Sequence, residues 1–321
     1  MKLLLLNLQV LRRFRTASLI LKVMWVIFAI ISSLFLGVYD IFKKNSLKNN
    51  AVLPVLLLST LTSALIFLPI ILFSKLNPGF SGNLLYVPEI TWHQHLLIFL
   101  KSIIVASSWI LAYYAMKHLP VTIVSPIRST GPLWTLLGAL VIFSEKLNSL
   151  QWLGIGISLF FFYIFTVAGS REGITFRQNK WLYFIIGSTL IGSASGLYDK
   201  FLIRNINNMA VQAWFSIYMI PVILPLVYFI WYRRINQTTK FEFRYTIPLI
   251  GISLTIADFC YFYALTDENS LIAIVSSLRR SSVIVTFLLG AFIFKEKNIL
   301  RKLLLLLGMM VGILIILLGS L

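Results

Sequence analysis

The stretch Val121 to Leu147 returns almost in register as Leu271 to Asn298, so the chain contains its own half. Setting Arg128 over Arg279 aligns Ile123-Val124-Ser125 with Ile274-Val275-Ser276, Thr135 with Thr286, and Phe143-x-Glu145-Lys146 with Phe294-x-Glu296-Lys297, every pair 151 residues apart. Each copy is apolar over a length that crosses a bilayer. Each nevertheless carries an arginine roughly 12–14 Å in from its start, at about 1.5 Å of rise per residue. A guanidinium at that depth has to meet an anion, a carbonyl or a water cavity.

Two further echoes extend the repeat. Gly37-x-Tyr39-Asp40-x-Phe42 matches Gly196-x-Tyr198-Asp199-x-Phe201, and Tyr114-Ala115 matches Tyr263-Ala264. Apolar runs of about 20 residues, separated by polar or Pro/Gly breaks, predict ten spans. They lie near 24–44, 51–74, 93–116, 120–143, 151–169, 180–203, 210–232, 246–266, 270–294 and 302–320. The matched pairs fall in the same order in spans one to five and six to ten, and an odd number of spans turns the second copy over in the membrane. The expected fold is an all-α integral membrane protein of ten transmembrane helices in two inverted five-helix repeats, residues 24–170 and 180–321, with the site at their interface.

Composition agrees, since 59% of the 321 residues are apolar, mean hydropathy is +0.91 and only 12% are charged. The net charge of +18 would suggest nucleic acid in a soluble domain, but most of these lysines and arginines lie in short polar gaps between apolar runs, where lipid headgroups are the counterions. Cys260 is the single cysteine and no Cys/His cluster has metal spacing, so disulfide, metal and redox chemistry get no support, and no cofactor is implied. His93, His95 and His118 sit near helix ends, and Gly192-Ser193-Ala194-Ser195-Gly196 has alanine at the nucleophile position, which argues against an enzyme.

Residues 1–23 form a basic extension holding Arg12, Arg13, Arg15 and Lys22 behind an apolar run too short to span. An order of apolar run first and charge second is not that of a cleaved signal peptide, which leaves an interfacial basic helix or a translation start at Met24. The odd-numbered connections hold fifteen lysines and arginines and the even-numbered ones four, so the positive-inside rule places the odd connections in the cytoplasm and both termini outside.

From Met24 onward the chain resembles a ten-helix member of the drug/metabolite transporter superfamily, EamA type. The resemblance is carried by Phe143-Ser144-Glu145-Lys146 followed by Gln151-Trp152-Leu153-Gly154, and by the second copy Phe294-Lys295-Glu296-Lys297. It implies a multi-pass transporter of the inner or plasma membrane, and an orientation opposite to the one the charges give. Pro132 matches a proline common in the family's fourth helix. Val283 stands at that place in the second copy, so no proline hinge is expected there. The chain is also similar to the plastid sugar-phosphate/phosphate translocators of the superfamily, where one basic residue in the fourth helix and a basic pair in the ninth hold the substrate phosphate. That similarity implies the same role for Arg128, Arg279 and Arg280.

Bottom-up, Arg128 and the Arg279-Arg280 pair either form an anion clamp or are neutralised by Asp40, Asp199 or Asp258. Lys101 and Asp258 are candidates for the cavity wall, with snorkelling open to Lys101, and Trp109 and Tyr113 are candidates to stack on a ligand. Asp40 and Lys44, four apart on one helix face, form either a gate or an interfacial ion pair, and Asp199-Lys200 repeats the motif. Glu145-Lys146 and Glu296-Lys297 mark helix exits, where charges are solvated. Gly192-x-x-x-Gly196 and Gly308-x-x-x-Gly312 are expected to be helix-packing faces. The function these residues suggest is secondary transport of a small polar, anionic metabolite, a carboxylate or organophosphate, by alternating access. Flipping of a lipid carrier, export of amino acids or amphipathic compounds, and a non-transporting membrane partner stay open. The expected partners are the metabolite and the bilayer, with a homodimer left open and no nucleic acid.

Overall fold

The computed structural model describes residues 2–77, 79–80, 83–142, 144, 147–170, 179–266, 272, 275, 278–279, 281–294 and 299–319. Its long elements are helices: α1 (Lys2–Leu47), α2 (Val52–Leu76), α3 (Trp92–His118), α4 (Val121–Ser129), α5 (Gly131–Ile142), α6 (Ser149–Ser170), α7 (Lys180–Asn205), α8 (Asn208–Leu226), α9 (Thr246–Leu265), α10 (Ser282–Phe294) and α11 (Ile299–Leu318). Six stretches among the described residues are long and apolar enough to cross a membrane: Met24–Leu47, Val52–Leu76, Trp92–His118, Lys180–Asn205, Asn208–Arg234 and Thr246–Leu265.

Helix starts follow local capping chemistry. Thr91 and Gln94 make a reciprocal capping box before α3, Asn179 accepts from the Trp181 amide, and Asn207 accepts from the amides of Met209 and Ala210. Pro221 and Pro225 withdraw two amide donors from the second half of α8, which passes into a π-helical turn, Val227–Trp231.

The stretch expected as one fourth span is broken. Helix α4 stops at Ser129, Thr130 forms a turn, and α5 begins at Gly131. Pro132 has no N–H to offer the Arg128 carbonyl, and the Thr130 amide and Oγ1 both fold back on the Ile127 carbonyl, at 3.2 and 2.7 Å. The second copy turns at the matching residue without a proline. The Ser281 amide and Oγ donate to the Leu278 carbonyl at 3.0 and 2.6 Å just before α10 begins. Where Val283 stands in place of the proline, Ser281 supplies the turn.

The two halves pack with the symmetry their sequences share. Helix α1 lies on α9 as α3 lies on α7, α1 on α10 as α5 on α7, α2 meets α8, and α6 meets α11. One apolar core runs from Trp25 and Ala29 through Ile98, Met116 and Ile185 to Ile250 and Ala264. The outward face is apolar as well, with Leu72, Val141, Phe160 and Phe292 exposed. A bilayer explains that surface where water would not.

Small residues allow the closest approaches. A Cβ on Gly312 would lie 2.6 Å from the Gly154 carbonyl oxygen, and one on Gly308 would enter the Phe161 ring, so this pair seats α11 on α6 as expected. Gly192 and Gly196 behave differently. The nearest atom to a Cβ there is Ser108 Oγ at 3.3 Å or Tyr261 Oη at 3.7 Å, because both glycines line a cavity rather than a tight helix contact. Between α2 and α9, a Cβ on Gly251 would stand 2.8 Å from Thr62 Cβ, with the Ser59 carbonyl closer still. Gly251→Ala is therefore expected to lower stability by about 1–3 kcal/mol, read as a fall in the unfolding midpoint of the purified protein in detergent. An unchanged midpoint would show that α2 and α9 separate freely.

Candidate functional site

A cavity of about 140 Å³ opens between the repeats, and Lys43, Lys101, Arg128, Asp199, Asp258 and Arg279 all line it. Their ion pairs fall into two clusters. In the first, Arg128 Nη1 donates to both carboxylate oxygens of Asp40 at 2.7 and 2.9 Å, and Lys43 Nζ donates to Asp40 Oδ1 at 2.6 Å. Lys43 is 1% exposed and Asp40 4%, and the ammonium lies 4.3 Å from the centre of the Tyr39 ring and 5.3 Å from that of Tyr113. Two cations share one carboxylate here. The aromatic faces supply part of the stabilisation that water would have given Lys43.

The second cluster is built from α3, α7, α8, α9 and Arg279, two residues before Ser281. Lys101 Nζ pairs with Asp199, between the rings of Phe215 and Phe262 at 4.7 and 5.0 Å. Arg279 Nη2 pairs with Asp258, and its Cζ sits 4.1 Å above the Tyr261 ring. Among the described residues Arg279 Nε is buried without a hydrogen-bond partner. A guanidinium has five N–H donors, so Arg279 keeps capacity for a further acceptor. Among the described residues these pairs bring four cations, Lys43, Arg128, Lys101 and Arg279, to three carboxylates, Asp40, Asp199 and Asp258.

Several expected residues are brought together and others are not. Lys101 does not snorkel; it is 2% exposed and locked to α7. The ion pair on α1 is Asp40 with Lys43, three residues on, while Lys44 Nζ donates to the carbonyls of Met116 and Leu119 at the end of α3. Steps of three and four both fall on one helix face, and the spacing Asp40 to Lys44 pointed to the wrong member of the Lys43-Lys44 pair. Asp199 finds Lys101; Lys200 is buried. Trp109 lines the cavity and meets Phe215 edge-to-face. Tyr113 is buried away from the lining set, its hydroxyl accepting from Tyr39 at 3.5 Å. Arg280, Glu145, Lys146, Glu296 and Lys297 lie outside the described residues. Lys43, Tyr261, Phe215 and Phe262 were not singled out in the sequence, because a lysine beside a lysine and aromatics in apolar spans carry no local signal.

Two matched helical repeats around a cavity lined by charged side chains define a multi-pass membrane protein of the transporter type. The EamA-like transporter family matches residues 23–167 and 179–318, one match for each half, and the chain belongs to that family. A solved protein structure is similar at a TM-score of 0.59 over 91% of this chain and 93% of that one, with 14% identity, a likeness of fold alone. No curated protein matches the sequence.

Proposed function

We propose that the chain is a secondary transporter of the inner or plasma membrane that carries a small anionic metabolite, a carboxylate or organophosphate, by alternating access around this cavity. The observation that carries the reading is the Arg279 guanidinium on the cavity wall, whose Nε has no hydrogen-bond partner among the described residues. Carboxylate and phosphate oxygens fit a guanidinium edge, and a poorly hydrated wall raises the value of each contact. A cavity of about 140 Å³ suits a ligand of roughly benzene's bulk in this state. Asp199 and Asp258 also line it, which favours a second reading, a zwitterion such as an amino acid, whose ammonium would meet a carboxylate while its own carboxylate meets Arg279.

Counterflow in proteoliposomes tests both. Saturable exchange of small carboxylates or organophosphates is expected, with Arg128→Gln and Arg279→Gln slower by about a hundredfold. Arg128→Lys, which keeps the charge but loses the fork, should fall between. Exchange of amino acids alone would select the zwitterion. Wild-type rate and affinity in folded Arg128→Gln and Arg279→Gln would sink the anion site. Flux confined to lipid-linked substrates would mark a flippase, and absence of any flux a non-transporting partner.

A further inference from the structure

The internal symmetry maps Asp40 onto Asp199 and Arg128 onto Arg279. The structure nevertheless pairs them differently. Asp40 holds the arginine of its own repeat, whereas Asp199 holds Lys101 of the other repeat and Arg279 holds Asp258. Two inverted repeats in the same conformation would present the site identically to both faces. The difference between the repeats is therefore what sets the face, and exchanging their conformations reverses it.

Resting on the alternating-access reading, we infer that Asp199 is the moving partner of an ion-pair exchange: it is held by Lys101 in this state and by Arg279 in the opposite-facing one, while Asp40 releases Arg128. The charges allow this without stranding a carboxylate. Asp40 keeps Lys43, 2.6 Å away, when Arg128 leaves. Lys101 and Asp258, the groups released on the other side, have opposite sign and line the same cavity, so they can meet each other. Arg128 then carries the uncompensated positive charge. Every one of the three carboxylates keeps a cation in both end states; the cost of the second state falls on Arg128 alone, which already lines the cavity and is there met by water or by the anion carried. The turns at Thr130 and Ser281 place a pivot within two residues of each arginine, where such a shift can be absorbed locally.

The test uses a reporter cysteine at the cavity wall, Ser195→Cys in a Cys260→Ser background, labelled with a membrane-impermeant maleimide from either face of vesicles. Lys101→Met frees Asp199 and should shift the ratio of labelling rates between the faces by roughly fivefold or more; Arg279→Met should shift it as far in the opposite direction. The double variant Lys101→Asp/Asp199→Lys keeps the pair of this state but sets like charge against Arg279. It should unfold at the wild-type temperature, label from one face only and lose transport by about fiftyfold or more. A merely structural bridge would be rescued by the swap in every assay, so a swapped protein that transports at the wild-type rate overturns the exchange and leaves the transport reading intact. Shifts in the same direction for the two methionine variants, or no shift, overturn it as well, and they decide alone if the swap does not fold. Wild-type labelling from one face only, with and without counterflow substrate, would overturn alternating access and the exchange with it.

Discussion

Replacing Asp40 with asparagine is expected to destabilise the protein by about 3–5 kcal/mol, the cost of stranding buried charge. The carboxylate accepts from Lys43 Nζ at 2.6 Å and from Arg128 Nη1 at 2.7 and 2.9 Å, and Lys43 is 1% exposed. Without the acid, two cations face each other where little water reaches. Removing one cation is a different matter, because Arg128→Met or Lys43→Met leaves a neutral pair behind. The order of unfolding midpoints in detergent should therefore place Asp40→Asn well below either methionine variant. A lower midpoint for Arg128→Met than for Asp40→Asn would contradict the two-cations-to-one-acid account of this cluster.

Gly312→Leu should cost about 3 kcal/mol or more, at the upper end for overpacking, because the obstacle is main chain rather than a movable side chain. A Cβ there meets the Gly154 carbonyl oxygen at 2.6 Å and the Ser158 amide nitrogen at 2.8 Å, and the approach is mutual, since a Cβ on Gly154 meets the Gly312 carbonyl oxygen at 2.5 Å. Helices α6 and α11 would have to separate along their contact. Loss of folded protein on size-exclusion is the readout, with unchanged substrate selectivity in whatever survives. Gly192→Ala is the control with the same sequence spacing and should be mild, for its nearest neighbour is Ser108 Oγ at 3.3 Å. Equal losses in the two variants would show that spacing alone, and not the backbone approach, governs these positions.

That contrast shows where the sequence stops being informative. Gly192-x-x-x-Gly196 and Gly308-x-x-x-Gly312 are the same pattern, yet one lines the cavity and the other joins two helices. A small residue permits close approach without saying what approaches. The same holds for the hinges. Pro132 marks the break at Thr130 because a missing N–H is a local property, whereas Ser281 marks the equivalent break only through a hydroxyl turned back on the Leu278 carbonyl. Serine has other options in a helix, so no reading of Ser281 alone would have found it.

What the sequence by itself determined is the helical two-repeat plan and the presence of arginines at matched depths. Both follow from quantities local to the chain: the length of apolar runs against the thickness of a bilayer, and the register of one half over the other. The tertiary structure alone decided which acid neutralises which base. Asp40 and Arg128 are 88 residues apart, Lys101 and Asp199 98, and Arg279 and Asp258 21. Among the described residues three carboxylates and four cations lie in or beside the cavity wall, and more than one set of pairings would give each carboxylate a cation. The choice among them falls to helix packing, because a hydrogen-bonded ion pair needs its donor and acceptor within about 3 Å, a distance set by how the helices lie on one another.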